Sequence, residues 1–85
     1  MLYREMTIKS SEGLNSRTAA RLVKAAERFE SQILIEFENK KVNAKSIMGV
    51  LSLNTQCGGS IFVLANGPDE QQALDALEAA TNLQE

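Results

Sequence analysis

The spacing of apolar residues changes period several times along this chain, and each change marks an element. Leu2, Met6 and Ile8 alternate with Tyr3, Glu5 and Thr7, the two-residue period of a half-buried strand. Arg4 falls on the apolar side, where at a sheet edge its aliphatic stem can lie along the sheet. Lys9 to Gly13 is polar, ends in glycine and reads as a loop. The period then becomes helical: Ala19, Leu22, Val23, Ala26 and Phe29 form one stripe, with Arg17, Arg21, Lys24 and Arg28 largely off it. Asn15 is the expected N-cap, because its side-chain oxygen can accept a first-turn N–H, and Ser16 is the competing candidate. Ile33, Ile35 and Phe37 against Gln32, Glu36 and Glu38 predict a second strand, with Leu34 interrupting its polar side. Glu38-Asn39-Lys40 predicts a tight turn on the ground that asparagine tolerates positive φ, and Val42 centres a short antiparallel third strand.

Ser46 stands where the cap of a short helix is expected, just ahead of Ile47-Met48-Gly49-Val50-Leu51. At about 100° per residue, Val50 and Leu53 share one side, while Ile47, Met48 and Leu51 fan out over another. Asn54 to Gly59 reads as a loop. Ile61-Phe62-Val63-Leu64-Ala65 is nearly continuous in apolar character, which suits a strand covered substantially on both sides. Asn66-Gly67-Pro68 stops it. Asp69 is the expected cap of a last helix, with Gln72 completing a capping box. Ala73, Leu74, Leu77, Ala80 and Thr81 line the inner face of that helix, and Glu70, Asp75 and Glu78 lie mostly outside. The element order predicts an α+β open-faced sandwich, a four-stranded antiparallel sheet with three helices on one face. Leu22, Ile33, Ile35, Val63, Leu74 and Leu77 are its expected core.

Composition narrows the function classes. Eighty-five residues make one domain, residues 1–85, with little core to spare for an internal substrate cavity. A net charge of −2 argues against a direct nucleic-acid role. No apolar run reaches membrane-spanning length, and the N-terminus does not read as a signal peptide. One cysteine, Cys57, allows no internal disulfide and suits a reducing cytoplasm, where it reads as an incidental loop thiol. The absence of histidine, with one cysteine, argues against a zinc site. No nucleophile–base pair is visible, so an enzyme is not expected, and no cofactor is implied.

Lys45-Ser46-Ile47-Met48-Gly49-Val50-Leu51-Ser52-Leu53 closely resembles the serine-phosphorylation motif of the HPr family of the bacterial sugar phosphotransferase system. A second stretch, Gly13-Leu14-Asn15-Ser16-Arg17-Thr18-Ala19-Ala20, is similar to that family's active-site motif. Gly13, Arg17 and Ala19 match; Asn15 stands at the phosphohistidine position and Thr18 at the proline. The resemblance runs almost the whole chain and implies the same open-faced sandwich. In the family the histidine carries a phosphoryl group on a ring nitrogen; an asparagine amide has its nitrogen lone pair delocalised into the carbonyl and offers no such nucleophile.

The pattern of a missing histidine with a retained serine resembles the catabolite-repression HPr-like subgroup, although Asn15 is not the glutamine expected there. That resemblance implies phosphorylation of Ser46 by HPr kinase/phosphorylase, then binding to a catabolite control transcription factor as corepressor. Arg17 is the partner contact that the resemblance implies, while the all-round apolarity of the short helix favours Ile47, Met48 and Leu51 as an exposed docking patch, with Lys45 adjoining the serine in sequence. Each has a plainer reading: a helix cap for Asn15 and Ser46, a solvated surface charge for Arg17, core packing for Ile47, Met48 and Leu51. The competing function is a constitutive docking protein, without phosphate chemistry, that engages phosphotransferase-system partners through Ile47 and Met48.

Overall fold

Seven elements appear in the expected order: β1 (Leu2–Thr7), α1 (Ser16–Glu27), β2 (Gln32–Phe37), β3 (Lys40–Asn43), α2 (Ile47–Leu51), β4 (Ser60–Asn66) and α3 (Glu70–Thr81). The structure is a computed structural model and describes residues 1–82; residues 83–85, part of the expected domain, lie outside the described residues. The four strands form one antiparallel sheet in the order β1-β4-β2-β3. The last strand thus inserts between the first two, pairing Met6 with Ile61 on one side and Ile35 with Val63 on the other.

All three helices lie on one face of this sheet. Met6, Ile33, Ile35, Ile61, Val63 and Ala65 point toward them and are buried. Ala19, Leu22, Val23 and Ala26 of α1, Val50 of α2, and Ala73, Leu74 and Leu77 of α3 close the same core. The six expected core residues are all among these. Arg4 also points to the helix side, from the edge strand β1, and its guanidinium reaches Asp75 at 3.0 Å and Glu78 at 2.9 Å on α3. The polar interruption in the strand pattern is therefore an edge residue whose charge is met by the helix above.

Three expectations need correction. β4 is not covered by a second layer: Ile61, Val63 and Ala65 are buried, but Phe62 and Leu64 stay half-buried on the open face. Their cover comes sideways from neighbouring strands, since Leu64 sits between Tyr3 and Leu34, and the Tyr3 ring stacks on Phe62 with centroids 5.4 Å apart. In the β2–β3 turn the positive φ falls on Glu38 (55°), not on Asn39. A two-residue connection that is left-handed at its first position only is compatible with the strand twist, so position in the turn overrides residue preference. Asp69 does occupy the N-cap of α3, but its carboxylate makes no bond to that helix. It accepts instead from the Ser31 hydroxyl and from the N–H groups of Glu30 and Ser31, each N–H at 3.0 Å. These partners hold its pKa below the usual carboxylate value, the Ser31 hydroxyl most strongly.

Candidate functional site

Ser46 is presented by two turns that follow β3. Asn43 Oδ1 accepts the Lys45 N–H (2.9 Å) and Asn43 O accepts the Ser46 N–H (3.0 Å), so the chain reverses over three residues. Buried Ala44 anchors the reversal through its N–H to Ile33 O (2.9 Å). Ser46 itself is extended (φ −110°, ψ 114°) and exposed, and its hydroxyl accepts the Gly49 N–H at 3.2 Å. That is the geometry of an N-cap, as the sequence implies. Lys45 points elsewhere: its ammonium donates to Phe29 O at 2.7 Å, just past the end of α1. It pins α2's entry to α1's exit, and is not an exposed cation beside the hydroxyl.

The five-residue helix then divides its apolar side chains. Val50 is completely buried, and Leu53 just beyond it is buried too. Ile47 is 38% and Met48 74% exposed. Leu51 belongs with neither group, being half-buried and packed against the core. The outward greasy face is thus Ile47 and Met48, centred on a flexible thioether able to adapt to different surfaces. Gly49, which sequence reasoning did not single out, makes this possible. A Cβ there would stand 3.3 Å from Val42 Cβ and 3.4 Å from Ser46 Oγ, so glycine lets α2 lie close on β3 without crowding the hydroxyl. The available signal was a glycine inside a short helical run, which costs about 1 kcal/mol relative to alanine and implies a packing reason.

Asn15 stands at the start of α1. Its Oδ1 accepts the N–H groups of Arg17 and Thr18, both at 3.0 Å, and its Nδ2 donates to Glu12 Oε1 at 2.7 Å. The Asn15 N–H donates to Thr18 Oγ1 (2.8 Å), whose own proton goes to Gly13 O (2.8 Å). Both halves of a capping box are present, with threonine in the place of the usual Glu or Gln. Gly13 brings this corner close to the loop after α2: its φ is +71°, and an added Cβ would lie 2.6 Å from Thr55 O. The Leu14 N–H donates to that same carbonyl at 2.7 Å. Arg17 is exposed on the first turn of α1, beside the loop leaving α2, whereas Ser46 stands at α2's entry near the other end of α1. The two motifs are thus held on one pair of helices, each at a helix start.

An antiparallel sheet roofed on one side by three helices, with an exposed serine capping the short middle helix, is the open-faced α+β sandwich that the sequence predicts. The family model for the "PTS HPr component phosphorylation site" matches residues 2–82, and the chain belongs to the HPr family. Within that family it resembles the HPr-like protein Crh: that of Halalkalibacterium halodurans is 47% identical over 79 residues, covering 93% of this chain and 94% of the relative. Among solved structures, HPr-C-His from Thermoanaerobacter tengcongensis superposes with a TM-score of 0.89 at 42% identity, over 96% of each chain. The crystal structure of Bacillus subtilis Crh, a dimer with a swapped domain, superposes at 0.75 with 42% identity, over 95% of this chain and 93% of that one.

Proposed function

We propose that this protein is a cytoplasmic regulatory module of carbon catabolite control, switched by phosphorylation of Ser46 and inactive as a histidine phosphocarrier. The observation that carries the reading is the exposed Ser46 hydroxyl at the start of α2, next to the exposed Ile47 and Met48. In the reaction, HPr kinase/phosphorylase transfers a phosphoryl group from ATP or pyrophosphate to Ser46 Oγ; the hydroxyl proton leaves, and ADP or phosphate is released. The product carries about −1.5 to −2 charge at pH 7. Its oxygens can take over the bond from the Gly49 N–H, and placement at a helix start is worth about 0.3–1 kcal/mol, with five residues giving the lower end.

Because Lys45 is engaged with Phe29 O, recognition of the phosphate falls to the partner. A catabolite control transcription factor offering arginine or lysine beside an apolar pocket gains charge-assisted hydrogen bonds and the Ile47 and Met48 contacts together. Arg17 adds a further contact at the far end of α1. Phosphocarrier chemistry is absent because the chain has no histidine and the Asn15 amide has no free nitrogen lone pair.

The test is incubation with purified HPr kinase/phosphorylase and ATP or pyrophosphate, followed by intact mass and binding to a catabolite control regulator. One phosphate on the wild type, none on Ser46→Ala, and binding only after modification is the expected result. No phosphate under conditions that modify a control HPr overturns the reading. Unmodified protein that still binds phosphotransferase-system partners, and loses them with Met48→Glu, establishes constitutive docking instead.

A further inference from the structure

The sheet has a second face, and among the described residues no helix lies on it: all three helices pack on the side of Met6, Ile35 and Val63. An antiparallel sheet open to water on one side ordinarily puts polar residues there. Here the middle of that face is apolar. The register sets Tyr3, Leu64 and Leu34 side by side across β1, β4 and β2, and Phe62 lies two residues from Leu64 along β4, stacked against the Tyr3 ring. Tyr3 is 57% exposed and the other three are half-buried. Aromatic and aliphatic residues grouped in this way and rimmed by polar ones mark contact surfaces. The next row across the sheet is Glu5, Phe62, Glu36 and Lys41, so a carboxylate stands on each side of Phe62. The side chains of Glu5, Glu36 and Lys41 make no hydrogen bond or ion pair among the described residues. Asp75 and Glu78 on α3, by contrast, already meet Arg4.

We propose that this open face is a docking site for a basic amphipathic helix of a partner protein. A helix laid along β4 covers Phe62 and Leu64 with its apolar stripe and touches Tyr3 on one side and Leu34 on the other. Glu5 and Glu36 are two strand spacings apart, about 9–10 Å. That is close to the width of a helix with its side chains, about 10–12 Å. Lysines or arginines on both flanks of the stripe therefore reach a carboxylate each, in charge-assisted hydrogen bonds. Lys41 stands on the outer strand β3, beyond Glu36, and leaves the track along β4 to the carboxylates. Charge decides against other occupants. A second copy brings the same two carboxylates and one lysine, so the paired faces stay net negative. An anionic lipid surface or a nucleic acid meets Glu5 and Glu36 with like charge. Ser46 caps a helix on the other side of the sheet, and the site does not depend on its phosphorylation.

The experiment is an amide-resolved NMR titration of the full unmodified chain with a blocked peptide of about four helical turns, bearing lysines on both flanks of a leucine–phenylalanine stripe. Expected are saturable shifts at Tyr3, Glu5, Leu34, Glu36, Phe62 and Leu64. The double variant Glu5→Gln and Glu36→Gln keeps the wild-type melting temperature and binds at least about fivefold more weakly. Ser46→Ala binds the peptide as the wild type does. A peptide with glutamates in place of the lysines, or a scrambled one of the same composition, binds at least about tenfold more weakly, since neither matches both stripe and charges. The proposal is overturned by the absence of saturable shifts, by shifts centred on Ile47 and Met48, by equal binding of either control peptide, or by unchanged affinity in the double variant. It is equally overturned by tighter binding of phosphatidylglycerol vesicles or an oligothymidylate to the same residues, or by shifts that follow protein concentration alone, which would make the occupant a membrane, a nucleic acid or a second copy.

Discussion

Asn15 concentrates more hydrogen bonds than any plain surface asparagine needs: two accepted at Oδ1, one donated from Nδ2 and one from the backbone. The cap itself was legible, since asparagine ahead of an amphipathic stripe is a strong N-terminal signal. The part played by Thr18 was not, because it closes the box from a position where glutamate or glutamine is the expected partner. Asn15→Ala is expected to cost about 1–2 kcal/mol, the upper part of the range for a lost cap, read as a lower denaturant midpoint at unchanged slope. With enzyme I and phosphoenolpyruvate, the wild type is expected to gain no mass under neutral or alkaline conditions in which phosphohistidine survives on a control HPr. Asn15→His supplies a ring nitrogen and is expected to take up some phosphoryl group, but less than the control, because Thr18 occupies the position of the family's proline. No uptake by that variant would mean that the corner held by Gly13, Thr18 and Thr55 does not accommodate the chemistry.

Besides the shared core, some elements are tied to one another at their ends. Asp69 shows how: a residue recognisable as a helix cap is used to bind the α1–β2 connection, because Glu30 and Ser31 present two N–H groups and a hydroxyl to it. Sequence distance hides this, since the partners are 38 and 39 residues away. The carboxyl is held below its ordinary pKa, first by Ser31 and then by Glu30. The unfolded chain therefore binds the proton more readily than the folded one. The stabilisation is fully present above the unfolded pKa and is lost as pH falls through the lower folded value. Asp69→Asn is expected to flatten the acid limb of the stability curve between about pH 5 and about pH 2, measured by urea midpoints; an unchanged limb would show that other carboxyls dominate it. The short helix α2 follows the same logic. Its cap and apolar run were readable, but the division between buried Val50, half-buried Leu51 and exposed Met48 depends on how Gly49 seats it on β3.

For the whole molecule, stability rests on one core shared by the sheet and the three helices, so damage from any element is felt globally. Leu77 is fully buried in α3 and has no polar role. Leu77→Ala is expected to cost about 2–5 kcal/mol, a large share of the roughly 5–15 kcal/mol available to a small protein. The melting temperature should fall by at least about 10 °C. By contrast Met48→Ala, on the exposed face, is expected to leave it within a degree or two while weakening partner binding.

The chain's own pattern determined the seven elements, the buried stripes of α1 and α3, the two helix starts at Asn15 and Ser46, and the absence of any histidine to carry phosphate. These are local properties: period, cap chemistry and residue type depend on neighbours within one or two turns. Tertiary structure alone decided the strand order, which places β4 between β1 and β2, and with it the sideways cover of Phe62 and the pairing of Arg4 with α3. It also decided that Lys45 spends its charge on Phe29 O, that Asp69 reaches across to Ser31, and that Glu5 and Glu36 flank Phe62 on the open face. Each of these depends on which distant segments meet, and that is set by the packing of all the apolar faces together rather than by any one stretch of sequence.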